Sequence, residues 1–171
     1  MQRNDQVAFK GVIISGSEVI DGYLTTGGGT ITGVGNSPPG CNVIDLGESY
    51  IAPGFIDLHI HGIHRMLVDN GAEDLKGISK TLPQYGVTGF LPTLVPRPKG
   101  EDAIFLSELS TTETEGAEIL GFHLEGPFLK ITGALAAEAV SGADEERVSS
   151  LIDAARPYKV IFSISPDVSG I

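Results

Sequence analysis

The sequence predicts an α/β fold, namely the first half of a (β/α)8 TIM-type barrel preceded by a small β-sandwich segment. Strand and helix patterns alternate four times after Pro53 and Gly54, which is typical of a parallel sheet with right-handed crossovers. A complete barrel takes roughly 200–250 residues. Only about 120 residues follow the first segment, so the chain accounts for half of a barrel. An open doubly wound sheet fits the same alternation.

Residues 1–52 form the predicted β-sandwich segment, which the chain leaves incomplete. The segment is rich in Val, Ile, Thr and Tyr and is interrupted by Gly-rich and Pro-rich turns, a pattern typical of short strands. The expected strands are residues 7–15, 17–24 and 30–34.

Residues 53–171 form the predicted first four β/α units of the barrel. The strand segments are mainly apolar, which suits strands that are buried on both faces. Pro83 is expected to end or kink the first helix. The expected strands are residues 55–60, 87–91, 119–124 and 159–164, and the expected helices are residues 73–85, 102–110 and 144–155.

Composition excludes several classes of partner. The net charge of −11 argues against nucleic acid and anionic membranes, whose affinity comes from Lys and Arg, although a local pocket can still bind a small anionic ligand. Cys41 is the one cysteine, so neither an internal disulfide nor a thiolate cluster can form. The sequence shows no signal peptide and no apolar run of about 18–20 residues, and we expect a cytoplasmic protein.

The strongest chemical signal is the pair His59 and His61 in the first strand after Pro53. Residues two apart share a face of a strand, so both imidazoles and the carboxylate of Asp57 point one way, while Leu58 and Ile60 point towards the covering helices. The imidazoles can meet on one divalent ion, with zinc and iron both suitable. Asp57 is expected to orient a histidine. The alternative is a pair of hydrogen-bonded structural histidines.

The second signal is His123 and Glu125 at the end of the third strand. A carboxylate at the carboxyl end of a strand can anchor a metal ion while another position holds water. Glu125 is therefore predicted as a metal ligand, with an exposed strand-end carboxylate as the alternative. His123 either contacts substrate, supports the site or packs in the core. Thr93, at the end of the second strand, is expected to be structural.

Three segments, residues 52–62, 86–93 and 123–129, closely resemble N-acetylglucosamine-6-phosphate deacetylases of the amidohydrolase superfamily. The resemblance implies a (β/α)8 barrel with a small β-sandwich and hydrolysis of the acetamide of N-acetylglucosamine 6-phosphate to an amino sugar phosphate and acetate. It also implies that Glu125 is a principal metal ligand and that His59 and His61 serve a second or adjoining metal position. The implied partner is a small amino sugar phosphate.

Two departures from the family pattern limit this interpretation. The family's catalytic aspartate and further histidine ligands are expected beyond Ile171, so no catalytic residue is identifiable here and the isolated chain is expected to be inactive. Where the family has a histidine that contacts substrate, this chain has Leu135 after Ala134, and Ala134 and His123 are the predicted substrate contacts. The alternatives are an amidohydrolase for another N-acyl or cyclic amide, or a non-catalytic half barrel. Open strand edges predict a homo-oligomer.

Overall fold

The computed structural model describes residues 6–170, which divide into two compact units on either side of the Pro53–Gly54 peptide. The first unit is a four-stranded sheet with the strand order β3-β2-β1-β4. Neighbouring strands in the first three run antiparallel, whereas β4 runs parallel to β1. The strands are β1 (Val7–Ser15), β2 (Glu18–Gly27), β3 (Thr30–Gly35) and β4 (Asn42–Ile51).

Sequence reasoning missed the strand β4. Asp45, Gly47 and Glu48 interrupt its apolar residues, and all three residue types are depleted in strands. The ladder between β1 and β4 contains an irregularity between Lys10 and Val12, which matches this polar stretch. Pairing with β1, a feature of the tertiary structure, therefore overrides the weak local preference.

The second unit contains a parallel sheet, and its helices alternate with the strands along the sequence. The strands β11-β10-β8-β5 are neighbours in that order, and the two-residue strand β9 also pairs with β8. A separate hairpin of β6 and β7 follows β5. The elements are β5 (Phe55–Ile60), β6 (Gly62–Ile63), β7 (Met66–Leu67), α1 (Ala72–Thr81), β8 (Val87–Leu94), α2 (Glu101–Ser110), β9 (Glu118–Ile119), β10 (Phe122–Glu125), α3 (Glu145–Ala154) and β11 (Val160–Ser163).

The order of the parallel strands follows the order of the sequence. A doubly wound sheet reverses direction at a switch point, and the four main parallel strands of residues 54–170 show no reversal. The predicted mixed α/β class is confirmed.

Two element boundaries have local causes. The first helix ends at Thr81, and a short 3-10 turn with Pro83 near its start carries the chain to Gly86, whose φ of 78° suits glycine. The predicted strand 119–124 is instead split into β9 and β10. A Cβ atom on the intervening Gly121 would lie 2.9 Å from the carbonyl oxygen of Lys159, so only glycine allows this close approach.

The hydrophobic core of the second unit lies between the parallel sheet and its three α-helices. Phe90 and Phe122 from the sheet and Leu106 from α2 are fully buried within it. Of the two side chains predicted to face covering helices, Ile60 is half-buried against this core, whereas Leu58 is 57% exposed. Each described helix is too short to cross a membrane. The buried cluster consists of Val68, Leu75, Ile78, Leu82, Phe90, Leu94, Leu106, Leu109, Ala117, Ile119, Phe122, Leu124, Leu151 and Ala155.

Candidate metal centre

The carboxyl end of β5 brings two imidazole nitrogens together. His59 is the penultimate residue of the strand and His61 follows its last residue, so strand alternation directs both side chains to one side. Their Nε2 atoms lie 3.1 Å apart, and the ring centroids are 5.0 Å apart in an edge-to-face arrangement. The predicted convergence of these two side chains is therefore present in the structure.

Glu125, the last residue of β10, completes the cluster. Its Oε2 atom lies 3.1 Å from Nε2 of His61, and about a third of each side chain is exposed. One ligand atom from each of His59, His61 and Glu125 lies within 4.8 Å of the other two. Three potential ligands that are up to 66 positions apart in the sequence thus meet at one end of the parallel sheet.

The chemistry of this donor set fits a divalent cation. Nε2 of His61 faces both Nε2 of His59 and a carboxylate oxygen, yet one ring nitrogen has either one proton or one lone pair. Atoms bound to one ion at about 2.0–2.2 Å lie roughly 3–3.5 Å apart, which agrees with the observed 3.1 Å separations. Two imidazoles and one carboxylate suit zinc or iron.

The backbone at His59 deviates from regular strand pairing. The ladder between β5 and β8 shifts between Asp57 and Ile60. Oδ1 of Asp57 accepts the backbone N–H of His59 at 3.0 Å, and Oγ1 of Thr93 accepts the N–H of Ile60 at 2.9 Å. Asp57 therefore contacts the His59 main chain rather than an imidazole ring, whereas the completely buried Thr93 links the two strands.

His123 lies beside the cluster and is 9% exposed. Its Nδ1 atom is 2.9 Å from the carbonyl oxygen of Leu58, and its Nε2 atom is 2.8 Å from Oγ of Ser163. Both ring nitrogens thus have protein partners, and the ring contacts His59 edge to face with centroids 4.6 Å apart.

The other predicted substrate contact, Ala134, lies exposed in a turn between β10 and α3. Leu135, which replaces the family histidine, is half-buried in the same turn. Neither residue is one of the three whose potential ligand atoms converge. A role for Ala134 in substrate binding remains a prediction.

Sequence reasoning missed Asp69, which follows the hairpin of β6 and β7. Burial raises the pKa of this carboxyl, while the charge of Arg97 acts in the opposite direction. The charges of His61 and Glu125 have smaller effects on its pKa. Its Oδ1 is 3.8 Å from Nη2 of Arg97 and has no hydrogen-bond partner among residues 6–170. An isolated acid in a three-residue 3-10 helix, Val68–Asn70, gives no periodic signal in the sequence.

A mixed α/β fold that joins two histidines at the end of one strand to a glutamate at the end of another is typical of metal-dependent hydrolases. No family model matches the chain. Its predicted resemblance to N-acetylglucosamine-6-phosphate deacetylases is confirmed by curated relatives. The enzyme of Danio rerio is 37% identical over 92 residues, which cover 50% of this chain and 23% of that protein. The enzyme of Bacillus subtilis is 33% identical over 148 residues, which cover 78% of this chain and 37% of that protein.

Solved structures of the same enzyme share the fold. The deacetylase of Pasteurella multocida superposes with a TM-score of 0.73 and 27% identity, over 88% of this chain and 42% of that one. The Mycobacterium smegmatis deacetylase, in complex with N-acetyl-D-glucosamine-6-phosphate, superposes with a TM-score of 0.81 and 24% identity, over 98% of this chain and 45% of that one. The chain therefore spans less than half the length of each of these proteins.

Proposed function

We propose that His59, His61 and Glu125 hold a divalent metal ion of an amidohydrolase that deacetylates N-acetylglucosamine 6-phosphate. The observation that carries the proposal is the convergence of three ligand atoms within 4.8 Å at one end of the parallel sheet. The relatives supply the substrate, because those of Danio rerio and Bacillus subtilis are named N-acetylglucosamine-6-phosphate deacetylases. Zinc and iron are the proposed ions.

Each residue of the cluster has a distinct part in this proposal. A bound divalent ion would polarise the amide carbonyl and lower the pKa of a bound water. His59 and His61 supply neutral nitrogen ligands, which leave the positive charge of the ion intact. Glu125 supplies the anionic ligand that anchors it. The partial exposure of all three side chains leaves one side of the cluster open to a substrate.

The same proposal covers the architecture. The strands β5, β8, β10 and β11 are parallel and adjacent in sequence order, as in the first four units of a (β/α)8 barrel. The carboxyl ends of such strands carry the active sites of barrel enzymes, and the cluster lies at the carboxyl ends of β5 and β10. Residues 1–52 are proposed to belong to a β-sandwich.

Assembly into a homo-oligomer also remains a prediction. Its support is the edge strand β5, where Phe55 is 71% exposed and Ile56 is 58% exposed. Apolar side chains on an open strand edge favour pairing with another chain.

Zinc binding tests the metal site directly. We expect zinc to raise the free energy of unfolding of the wild-type chain by about 2.7 kcal/mol when free zinc is 100 times its Kd. The variant E125Q keeps the shape of the side chain but removes the anionic ligand, so it should lose most of this stabilisation. Thermal unfolding with and without zinc measures both effects.

The control variant is H64N, which changes a histidine outside the cluster. Its backbone φ of 56° lies in the left-handed region that Asn tolerates, so the substitution should fold normally and retain zinc stabilisation. Equal zinc stabilisation of E125Q and the wild type would contradict the proposed metal site.

Substrate recognition needs a separate measurement because Leu135 replaces the family histidine. We expect zinc-loaded protein to broaden the acetyl resonance of N-acetylglucosamine 6-phosphate in proton spectra. N-acetylglucosamine without the phosphate serves as the control ligand. Equal broadening of the acetyl resonances of the two sugars would point to an amidohydrolase for another N-acyl compound.

A further inference from the structure

The main chain on both sides of His59 is held by side chains from other strands. The ladder between β5 and β8 pairs neither Leu58 nor His59, because its register shifts there. The Leu58 carbonyl instead contacts Nδ1 of His123, and the Ile60 N–H donates to Thr93. The peptide groups before and after His59 therefore depend on two buried polar side chains of β10 and β8.

The hydrogen bonds of His123 define its proton position. A carbonyl oxygen can only accept, so Nδ1 carries the proton and donates to Leu58. In the neutral ring Nε2 has a lone pair, which accepts the hydroxyl hydrogen of Ser163 at 2.8 Å. Because both nitrogens are occupied and the ring is 9% exposed, His123 offers neither a free donor nor a free acceptor to a ligand.

The imidazole ring of His123 also packs against the imidazole ring of His59. The two imidazoles meet edge to face at a centroid distance of 4.6 Å and an interplanar angle of 81°. This contact limits the rotation of the His59 side chain. The hydrogen bond from His123 to the Leu58 carbonyl limits the movement of the main chain at His59. His123 thus restrains the position of the His59 Nε2 atom in two ways.

We propose that His123 is a positioning residue that holds His59 in the geometry required by a metal ion. The inference rests on the proposed metal site and extends it to a residue that is not itself a ligand. Thr93 assists by holding the peptide group on the other side of His59. Groups that orient metal ligands typically change metal affinity 10- to 100-fold when they are removed.

The test compares cobalt binding to three variants of the full chain. H123F keeps a ring but removes both hydrogen bonds, so we expect cobalt affinity to fall roughly 10- to 100-fold and the absorption bands of bound cobalt to shift. H123N can still donate from a position close to that of Nδ1, and it should recover most of the affinity. S163A removes only the bond to Nε2, and its affinity should stay within about threefold of the wild type.

A purely structural role for His123 predicts a different pattern. In that case H123F would unfold at a lower temperature, but the folded protein would bind cobalt within twofold of the wild-type affinity and with the same spectrum. That result would overturn the inference. If H123F does not fold, T93V provides the second variant, because it removes the acceptor for the Ile60 N–H with little change in shape. Wild-type affinity and spectrum in T93V would also overturn it.

A failure of the proposed function can be distinguished from a failure of this inference. If the wild-type chain folds but binds no cobalt, the metal site is wrong. The positioning of His59 is then measured in the metal-free protein by hydrogen exchange of the His59 and Ile60 amide protons. The inference predicts exchange at least tenfold faster in H123F or T93V than in the wild type, and unchanged exchange would contradict it.

Discussion

The two units use similar strand sequences but bury them very differently. In the described part of the first unit, residues 6–53, the buried apolar side chains are Ala8 and Ile13. The second unit has a cluster of 14 buried apolar residues between its sheet and its helices. Val and Ile enrichment therefore predicts strands in both units, but only the alternation with helices predicts where a large core forms. The candidate metal centre is built on the unit with the large core.

The largest expected effect comes from an aromatic residue in that core. Phe90 is completely buried, so F90A should lower the free energy of unfolding by about 3–5 kcal/mol, through lost burial and the cavity that remains. Tyr50 in the first unit is 72% exposed, and Y50A should change the free energy of unfolding by no more than about 0.5 kcal/mol. Urea unfolding measures both values. Similar losses for the two variants would show that the units do not differ as the burial pattern implies.

The next effect concerns a buried ion pair between α2 and α3. Nε and Nη2 of Arg147 lie 2.8 and 2.7 Å from Oδ2 of Asp102, and the two side chains are 3% and 10% exposed. D102A should cost about 3 kcal/mol, because it leaves a buried guanidinium without its counter-ion. This value is the lower end of the usual range, since Arg147 keeps other hydrogen-bond acceptors, namely the carbonyl oxygens of Arg97 and Ala139 and the hydroxyl of Ser141.

Thermal unfolding of D102A at neutral pH checks this prediction. E146Q is a suitable control, because Glu146 lies in the same helix as Arg147 but is 84% exposed. An unfolding temperature of D102A equal to that of the control would mean that the pair does not contribute to the stability of the second unit.

The smallest expected effect involves Asp69, whose replacement should raise the free energy of unfolding rather than lower it. Burial raises the pKa of Asp69 above its ordinary value, so the folded state binds more protons than the unfolded state between the two pKa values. The free energy of unfolding therefore falls as the pH rises through this window, and the cost is fully present above it. D69N should unfold at a higher temperature than the wild type at pH 7. This gain should disappear well below the ordinary pKa of aspartate.

The control for Asp69 is D167N, because Asp167 is exposed. It should leave the unfolding temperature unchanged at both pH values. A lower unfolding temperature of D69N at pH 7 would indicate that the interaction with Arg97 outweighs the cost of burial.

Sequence reasoning predicted the local features of the candidate centre. The two-residue spacing of His59 and His61 places both side chains on one face of a strand, and this follows from backbone geometry alone. The strand bounds 55–60 and the ten-residue helix α2 also follow from local patterns, within one residue at each end. The end of the first helix just before Pro83 follows from the missing N–H and the restricted φ of proline.

The tertiary structure alone decided which distant groups meet. The approach of Glu125 to His61, the hydrogen bond from His123 to Leu58 and the burial of Asp69 join residues from separate elements. Such contacts depend on the register between strands, and a shift of one residue would turn every side chain to the opposite face. The sequence by itself determined that His59 and His61 point the same way, whereas the packing of β10 and β8 against β5 determined how they are held.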